Sequence, residues 1–477
     1  MKMIIRIARF KILSLMLLLV TAGTLMSCSK GGHDTPTPVT PVKPPPTDGY
    51  KDPAAYGTPF TGVPDTKDII MYEVNIRAFS KDANFKGVLS RLDSIKALGV
   101  NVIWLMPIYP VGQVNAVKPL GSPYAVKDYN AVNPDFGTLD DLRNIVSEAH
   151  KRNMSVILDW VADHTSPDNA WTANKSWYQQ NASGALIPPP GTNYADVVAL
   201  NYNSSEMRTA MIRAMKYWVL TANVDGYRCD YADPIPTDFW KQSLDTLKKF
   251  TDRKLIFLSE GSKQEQFTAG FQMNYGFSFY STLKDIFAGK QAPSNLFTTN
   301  TAENNTLAAG GAKLRYSTNH DVTLSDGSTV DIYNGKQGAL AAFVLAAYMN
   351  GVPLIYDGQE VGSSKEINYF ANDPIDWITN PDMVAEYKKI IAFRTGSEAV
   401  KSGTMTVYNN ADIIAFEKKS GTDDVLILVN ARNSVINFSI PTNLQNTSWT
   451  NGLTKTDLTL TDQYTFQPYG YLVLKKK

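Results

Sequence analysis

The sequence predicts an α/β protein: a (β/α)8 (TIM) barrel with an excursion after its third strand, followed by a small antiparallel β domain. Two observations lead to this fold class. Short β-rich runs alternate with longer helical runs across residues 61–396, which is typical of parallel strands joined by crossover helices. From residue 397 onward the helical runs stop, and short alternating strands follow one another. Eight β/α units fit a closed barrel better than an open sheet, which usually has fewer strands.

The predicted barrel strands are short runs rich in apolar and β-branched residues. In chain order they are IIMYEVNI, NVIWLMPI, SVILDW, DGYRCD, LIFLSE, FQMNYG, KLRYSTN and VPLIYD. Amphipathic runs lie between most of them, for example LSRLDSIKALG and LDDLRNIVSEAHKRN. In the final segment, residues 397–477, the runs TMTVYN, DIIAFEKK, DVLILVN and YGYLVLKKK predict antiparallel strands.

Residues 161–205 interrupt the alternation after the third strand. This excursion is rich in Pro, Asn and Gly and contains the aromatic run WTANKSWYQQ. A loop of this length inside a compact domain is usually functional. Its Trp171 and Trp177 either contact a ligand or pack against the domain.

The N-terminus predicts export. Basic residues precede the apolar run ILSLMLLLV, which is too short to span a bilayer, so residues 1–27 are interpreted as a signal peptide. Cys28, in LMSC, resembles the cleavage site of a bacterial lipoprotein and is expected to become the acylated N-terminus; the alternative is an ordinary secretory signal with an incidental cysteine. Residues 28–60 are dense in Pro, Thr and Gly and predict an extended tether. The expected location is the outer membrane of a bacterium, facing the periplasm or the outside.

Composition narrows the range of partners. The chain has 477 residues, with 46 basic and 45 acidic side chains, so it carries no charge bias towards nucleic acid. Its second cysteine, Cys229, has no partner once Cys28 is acylated, so no disulfide is expected. We expect a monomer that binds a neutral or polar substrate.

Carboxylates follow several predicted barrel strands. A lone acid at a strand end is commonly a helix cap or a solvated side chain. Four of them at the carboxyl ends of strands of one barrel indicate an active site, because barrel sites gather at that face. They are Asp159, Asp230, Glu260 and Asp321.

Two of the four histidines fall within these carboxylate motifs. His164 follows in DWVADH and His320 in TNHD, whereas His150 lies in an amphipathic helix and is expected at the surface. The spacing of these histidines is not that of a zinc site. The sequence also contains no serine nucleophile elbow and no phosphate-binding glycine loop.

The segment VDGYRCDYAD pairs a cation with an acid. In a strand, Arg228 and Asp230 share one face and Cys229 lies on the other, so Arg228 should hold Asp230 as an anion. Glu260 ends an apolar strand with no cation beside it in sequence, so burial should raise its pKa. An ionised carboxylate beside a protonated one is what glycoside hydrolysis requires.

Together these motifs resemble glycoside hydrolase family 13, the α-amylase family, over most of residues 68–477. DWVADH, GYRCD, SEG and TNHD resemble its four ordered motifs, and GVPLIYDGQE resembles a connecting segment. The resemblance implies Asp230 as nucleophile, Glu260 as acid/base and Asp321 as the carboxylate that stabilises the transition state. The residues that it implies for substrate binding are Tyr124, Asp159, His164, Arg228 and His320.

The resemblance does not extend to the family's usual calcium site. Asp163 stands where an Asn often ligates calcium, and an Asp can also do so. However, Ala199 replaces an expected Asp, and Asp233 and Pro234 replace an expected Lys-His pair. We therefore expect no required cofactor, with Asp163 as the one possible calcium ligand.

The expected function is retaining hydrolysis of α-glucosidic bonds, mainly α-1,4, in starch or maltooligosaccharides. A glucanotransferase or a debranching or cyclodextrin-type enzyme on the same scaffold is the alternative. A non-catalytic glucan-binding lipoprotein would require a lost carboxylate, and none is lost. The expected partners are an α-glucan and, through the N-terminal lipid, a membrane.

Overall fold

A computed structural model of the chain describes residues 49–477. Its strands are β1 Met71–Val74, β2 Val102–Leu105, β3 Ser155–Val161, β4 His164–Thr165, β5 Val198–Ala199, β6 Gly226–Asp230, β7 Ile256–Ser259, β8 Met273–Tyr275, β9 Ala312–Arg315, β10 Val352–Tyr356, β11 Thr404–Tyr408, β12 Ile413–Ser420, β13 Asp423–Asn430, β14 Ile436–Ser439, β15 Thr447–Asn451, β16 Asp457–Leu460, β17 Gln463–Phe466 and β18 Tyr471–Lys476. Its α-helices are α1 Ile76–Phe79, α2 Phe85–Leu89, α3 Leu92–Ala97, α4 Leu139–Lys151, α5 Ser205–Thr221, α6 Thr237–Leu247, α7 Glu265–Ala269, α8 Phe277–Phe287, α9 Ser294–Asn304, α10 His320–Asp326, α11 Thr329–Ile332, α12 Lys336–Tyr348, α13 Pro381–Thr395 and α14 Glu398–Ser402.

Eight parallel strands close into a barrel, so the predicted fold class is confirmed. Around the barrel the order is β1, β2, β3, β6, β7, β8, β9 and β10, and β10 pairs with β1. Each of these strands lies within one of the runs identified from sequence, apart from extensions of one residue at β3 and β9. Every residue of β3 is buried, as expected for a parallel strand that is covered on both sides.

The residues before the barrel pack against its helices. The Tyr56 N–H donates to the Leu220 carbonyl at 2.7 Å, and Asp52 pairs with Lys216 of α5. Phe60 stacks on His150 of α4, with ring centroids 4.4 Å apart. The end of the predicted tether is therefore attached to the barrel, while Cys28 lies outside the described residues.

His150 is not a surface residue, so that expectation was wrong. Its Nε2 lies 2.8 Å from Asp225 Oδ2, and its side chain is 12% exposed. The amphipathic pattern places His150 at the edge of the buried face of α4, where Asp225 and the Phe60 ring cover it.

The excursion contains little regular structure beyond the antiparallel pair β4–β5 and short 3-10 turns. Trp171 packs on Tyr129 at 4.8 Å between ring centroids, and Trp177 meets Trp171 edge-on at 5.5 Å. Both tryptophans therefore have packing roles.

Strands β11–β18 form the predicted antiparallel region. Six of them form one sheet, in the order β11, β12, β13, β18, β15 and β16, and β14 pairs with β17. The large sheet is joined to the barrel by a buried lysine: Lys418 Nζ donates to Asn350 Oδ1 at 2.7 Å and to the Val400 carbonyl. Within residues 49–477, no helix is both long enough and apolar enough to cross a membrane.

Candidate active site

The predicted carboxylates converge at the carboxyl end of the barrel. Asp230 is the last residue of β6, Glu260 directly follows β7, and Asp321 lies in the first turn of α10 after β9. All three line one cleft of about 530 Å³, together with Tyr124, His164 and His320.

Asp230 and Glu260 lie side by side. Their preceding residues, Cys229 and Ser259, are register partners on neighbouring parallel strands, and the Glu260 N–H donates to the Cys229 carbonyl at 2.8 Å. Neighbouring strands are about 4.8 Å apart. The two carboxyl groups therefore start from adjacent positions on the same rim.

Arg228 connects three carboxylates from inside the barrel. Its Nη1 donates to Asp159 Oδ1 at 2.8 Å and to Asp230 Oδ1 at 2.6 Å, and its Nη2 lies 3.1 Å from Glu260 Oε2. A buried charge requires such compensation, since removing one partner leaves the other uncompensated. Cys229 packs in the apolar layer outside the barrel, so the predicted alternation of faces is confirmed.

Arg228 and Asp159 are completely buried and do not line the cleft, contrary to a direct role in sugar contact. Asp159 instead accepts hydrogen bonds from Trp104 Nε1 at 3.1 Å and the Tyr124 hydroxyl at 3.3 Å. Burial raises the pKa of Asp159 to about 7, although the charge of Arg228 acts in the opposite direction. Both residues therefore position residues that line the cleft: Arg228 contacts Asp230 and Glu260, and Asp159 contacts the Tyr124 hydroxyl.

Glu260 is poised to be protonated at neutral pH. Burial raises the pKa of its carboxyl to about 8, with Arg228 opposing and the charges of Asp230 and Asp321 reinforcing the rise. The predicted direction is confirmed. The prediction missed the Arg228 contact, because this cation reaches Glu260 from the neighbouring strand and not from a sequence neighbour.

His320 is held on both sides of its ring. Its Nε2 lies 2.7 Å from the Tyr124 hydroxyl, and its Nδ1 contacts Glu73 Oε1. Burial lowers the pKa of His320, but the charges of Asp321 and Glu73 outweigh burial and raise it to about 9. Sequence reasoning missed Glu73; the available signal was an acid within the otherwise apolar first strand, IIMYEVNI.

His164 also contacts Tyr124. Its Nε2 lies 3.2 Å from the Tyr124 carbonyl oxygen, and its Nδ1 lies 3.3 Å from Asp163 Oδ2. The Tyr124 ring stacks on that of His320, with centroids 5.6 Å apart. His164, Tyr124 and His320 therefore form one continuous wall of the cleft.

The surroundings of Asp163 do not fit a calcium site. Calcium takes six to eight oxygen ligands. The Asp163 carboxylate faces His164, Ala199 has no side-chain oxygen, and the Asp233 carboxylate accepts the Ser262 N–H at 2.9 Å. In the described part of the chain, no group of three or more His, Cys, Asp or Glu side chains could hold a metal ion.

The cleft also has aromatic residues that sequence reasoning did not single out. They are Tyr194, Tyr231, Tyr369 and Phe370. The excursion supplies Tyr194 together with Pro189, Thr192, Asp196 and Val197. The expectation that the excursion serves the site therefore applies to its two ends, which supply Asp163 and His164 and residues 189–197, and not to the tryptophans.

Comparison with known proteins identifies the family. The family model described as "Alpha amylase, catalytic domain" matches residues 64–184 and 192–389. The chain belongs to the α-amylase family. It is therefore a glycoside hydrolase, and the cleft at the carboxyl end of its barrel is the candidate active site.

Individual relatives agree with this assignment. The chain is 25% identical over 403 residues to alpha-amylase 2 of Dictyoglomus thermophilum, covering 76% of this chain and 69% of that protein. It is 24% identical over 375 residues to a cyclomaltodextrinase of Thermoanaerobacter pseudethanolicus, covering 73% of this chain and 63% of that protein. The crystal structure of a noncanonic maltogenic alpha-amylase, AmyB, from Thermotoga neapolitana superposes with a TM-score of 0.77 at 25% identity, covering 86% of this chain and 99% of the other.

Proposed function

We propose that this α-amylase-family enzyme is a retaining glycoside hydrolase that cleaves α-glucosidic bonds, mainly α-1,4, of starch or maltooligosaccharides. One observation carries the proposal: Arg228 Nη1 donates to Asp230 Oδ1 at 2.6 Å, while burial raises the pKa of the adjacent Glu260 to about 8. Retaining enzymes use such a pair about 5 to 5.5 Å apart, whereas inverting enzymes need about 6.5 to 9.5 Å for a water molecule. Adjacent strand ends favour the shorter separation.

In the first step, Asp230 attacks the anomeric carbon and the bond to the glycosidic oxygen breaks. Glu260 donates its proton to that oxygen, so the leaving sugar departs with a neutral hydroxyl. A covalent glycosyl ester on Asp230 results. In the second step, Glu260 removes a proton from water, and the resulting hydroxide displaces Asp230 and regenerates both carboxyl groups.

The remaining residues bind the sugar that is attacked. Asp321 is half exposed, with 49% of its side chain accessible, and can accept hydrogen bonds from sugar hydroxyls. His320 and His164 line the same cleft. The Tyr124 ring offers a flat apolar surface on which the apolar face of a pyranose can pack.

The named relatives support an α-glucan substrate, but their names differ: one is an alpha-amylase, one a maltogenic alpha-amylase and one a cyclomaltodextrinase. Product profiles from amylose, pullulan and a cyclodextrin, with the first-formed anomer followed by NMR, test the proposal. Rapid release of α-configured maltooligosaccharides from amylose is expected. Cleavage of pullulan or cyclodextrin with amylose left intact would favour the debranching or cyclodextrin-type alternative, and no turnover of any of them would favour a non-catalytic glucan-binding lipoprotein.

We also propose that the enzyme is exported and anchored to a bacterial membrane by lipid on Cys28. The support is the short apolar run that ends at LMSC, followed by the Pro- and Thr-rich segment. Mass spectrometry of the mature protein from a membrane fraction is expected to find an acylated N-terminal Cys28. An unmodified peptide spanning residues 20–35 would contradict the anchor without affecting the proposed activity.

A further inference from the structure

Arg77 is a buried cation held by backbone carbonyls. It lies in α1, shortly after β1, and is 5% exposed. Its Nη1 donates to the carbonyls of Gly121 and Tyr369 at 2.8 and 2.7 Å, and its Nη2 donates to the Leu120 carbonyl at 2.8 Å. Among the residues that the structure describes, no carboxylate accepts a hydrogen bond from it. Burial lowers the pKa of Arg77 to about 10, against the charge of Asp135, so the guanidinium is still charged at neutral pH.

The three carbonyls belong to two segments at the carboxyl end of the barrel. Leu120 and Gly121 lie between β2 and α4, and Tyr369 lies between β10 and α13. Because β10, β1 and β2 are neighbours around the barrel, Arg77 joins three successive segments. Gly121 has a φ of +64°, and a Cβ there would lie 2.7 Å from Val111 Cγ1. Glycine therefore permits the turn that presents this carbonyl to Arg77.

Both segments continue into the wall of the cleft. Tyr124 follows Gly121 by three residues, and both Tyr124 and Tyr369 line the cleft. Their rings meet edge-on with centroids 5.9 Å apart, and the Tyr369 ring also lies 5.7 Å from that of His320. Arg77 itself does not line the cleft. Its hydrogen bonds therefore fix residues of the wall from behind.

We propose that Arg77 is a positioning residue that sets the spacing of the Tyr124 and Tyr369 rings, and with it the fit of the cleft wall to a sugar. A guanidinium suits this role because its planar fork presents several donors in fixed directions, whereas an ammonium is a compact point charge. This inference rests on the proposed function, in which Tyr124 binds the attacked sugar.

The test compares Arg77→Lys with Arg394→Lys. Arg394 is also buried and also donates to three carbonyls, those of Lys67, Ala347 and Gly351. Gly351 directly precedes β10, so these contacts lie at the opposite end of the barrel from the cleft. Burial lowers the pKa of Arg394 to about 10 as well. The two substitutions should therefore lower the melting temperature to a similar extent.

Hydrolysis of maltotetraose separates the two arginines. In Arg77→Lys, KM should rise about tenfold with little change in kcat, because a displaced ring weakens the binding of substrate and transition state alike. Arg394→Lys should keep the wild-type KM. Gly121→Ala perturbs the same carbonyl without changing Arg77 and should also raise KM. In a Tyr369→Ala background, Arg77→Lys should raise KM by a smaller factor, because part of the wall that Arg77 holds is already absent.

A crystal structure of Arg77→Lys tests the geometry without substrate. The Tyr124 and Tyr369 rings should lie farther apart than in the wild type, and Arg394→Lys should leave them in place. If Arg77→Lys does not fold, Arg77→Gln, which removes the buried charge, gives the same two measurements.

An unchanged ring separation, an unchanged KM, or an equal rise in KM in both arginine variants would overturn the positioning role. The proposed function fails differently: the wild-type enzyme itself would then not hydrolyse maltotetraose, while the displacement of the rings in Arg77→Lys would still be seen.

Discussion

Replacing Glu260 with glutamine should stabilise the folded protein at alkaline pH and leave its stability unchanged at acidic pH. The acid is buried, and burial raises its pKa from the ordinary 4.5 to about 8. The folded state therefore favours the protonated form. Stability from this group is fully present below pH 4.5 and is lost as the pH rises towards 8, because the folded state then holds a proton that the unfolded state has released. Glutamine resembles the protonated acid at every pH.

The expected difference in the free energy of unfolding follows from the pKa of Glu260. Each pH unit between the unfolded and the folded pKa corresponds to about 1.4 kcal/mol, so the rise to about 8 corresponds to at most about 5 kcal/mol. For the described residues, 49–477, the entropy of unfolding is roughly 0.9 kcal/mol per degree. The melting temperature of Glu260→Gln should therefore exceed that of the wild type by up to about 5 °C at pH 9.

The assay is a set of thermal melts of both proteins from pH 4 to pH 9. Glu265→Gln is the matched control, because Glu265 is an exposed glutamate on α7, close in sequence. The difference between Glu260→Gln and the wild type should grow with pH, whereas the control should follow the wild type. A constant difference at all pH values would refute the reasoning, since it would mean that Glu260 carries no raised pKa in the folded state.

Three other predictions follow from the site. Glu73→Gln should lower kcat about 10- to 100-fold with little change in KM, because Glu73 holds His320 through a charged hydrogen bond; an unchanged kcat and pH profile would contradict this. Arg228→Lys should lower kcat at least about 100-fold, because an ammonium group cannot bind three carboxylates at once as the planar guanidinium does. Full activity in steady-state assays would show that the positive charge alone suffices. EDTA should leave the melting temperature and activity unchanged, because the surroundings of Asp163 lack calcium ligands; a fall that calcium reverses would overturn that conclusion.

The barrel and the position of the acids at its rim could be predicted because both depend on patterns within single strands. An apolar run that ends in an acid places that acid at the carboxyl rim, and the period of two puts Arg228 and Asp230 on one face. These rules use only neighbours along the chain. They were sufficient for Asp230 and Glu260, whereas Asp321 lies beyond the end of β9, in the first turn of α10, and was singled out through the TNHD motif.

Contacts between strands could not be predicted in the same way. Arg228 reaches Asp159 and Glu260 because β6 lies between β3 and β7 in the barrel, and Glu73 meets His320 because the barrel closes. The left-handed turn at Tyr231 likewise depends on its hydrogen bond to Glu260, which comes from another strand. Closure and register are properties of the folded barrel and leave no trace in local periodicity.

The central claim is that Asp230 forms a covalent bond to the sugar. The most direct test is mass spectrometry of a protease digest after reaction with 5-fluoro-α-glucosyl fluoride, whose fluorine slows hydrolysis of the ester more than its formation. The account predicts a glycosyl mass increase on the peptide that contains Asp230, and no increase in Asp230→Asn. A label on Glu260 or Asp321, or fluoride release by an enzyme that carries no label, would contradict it.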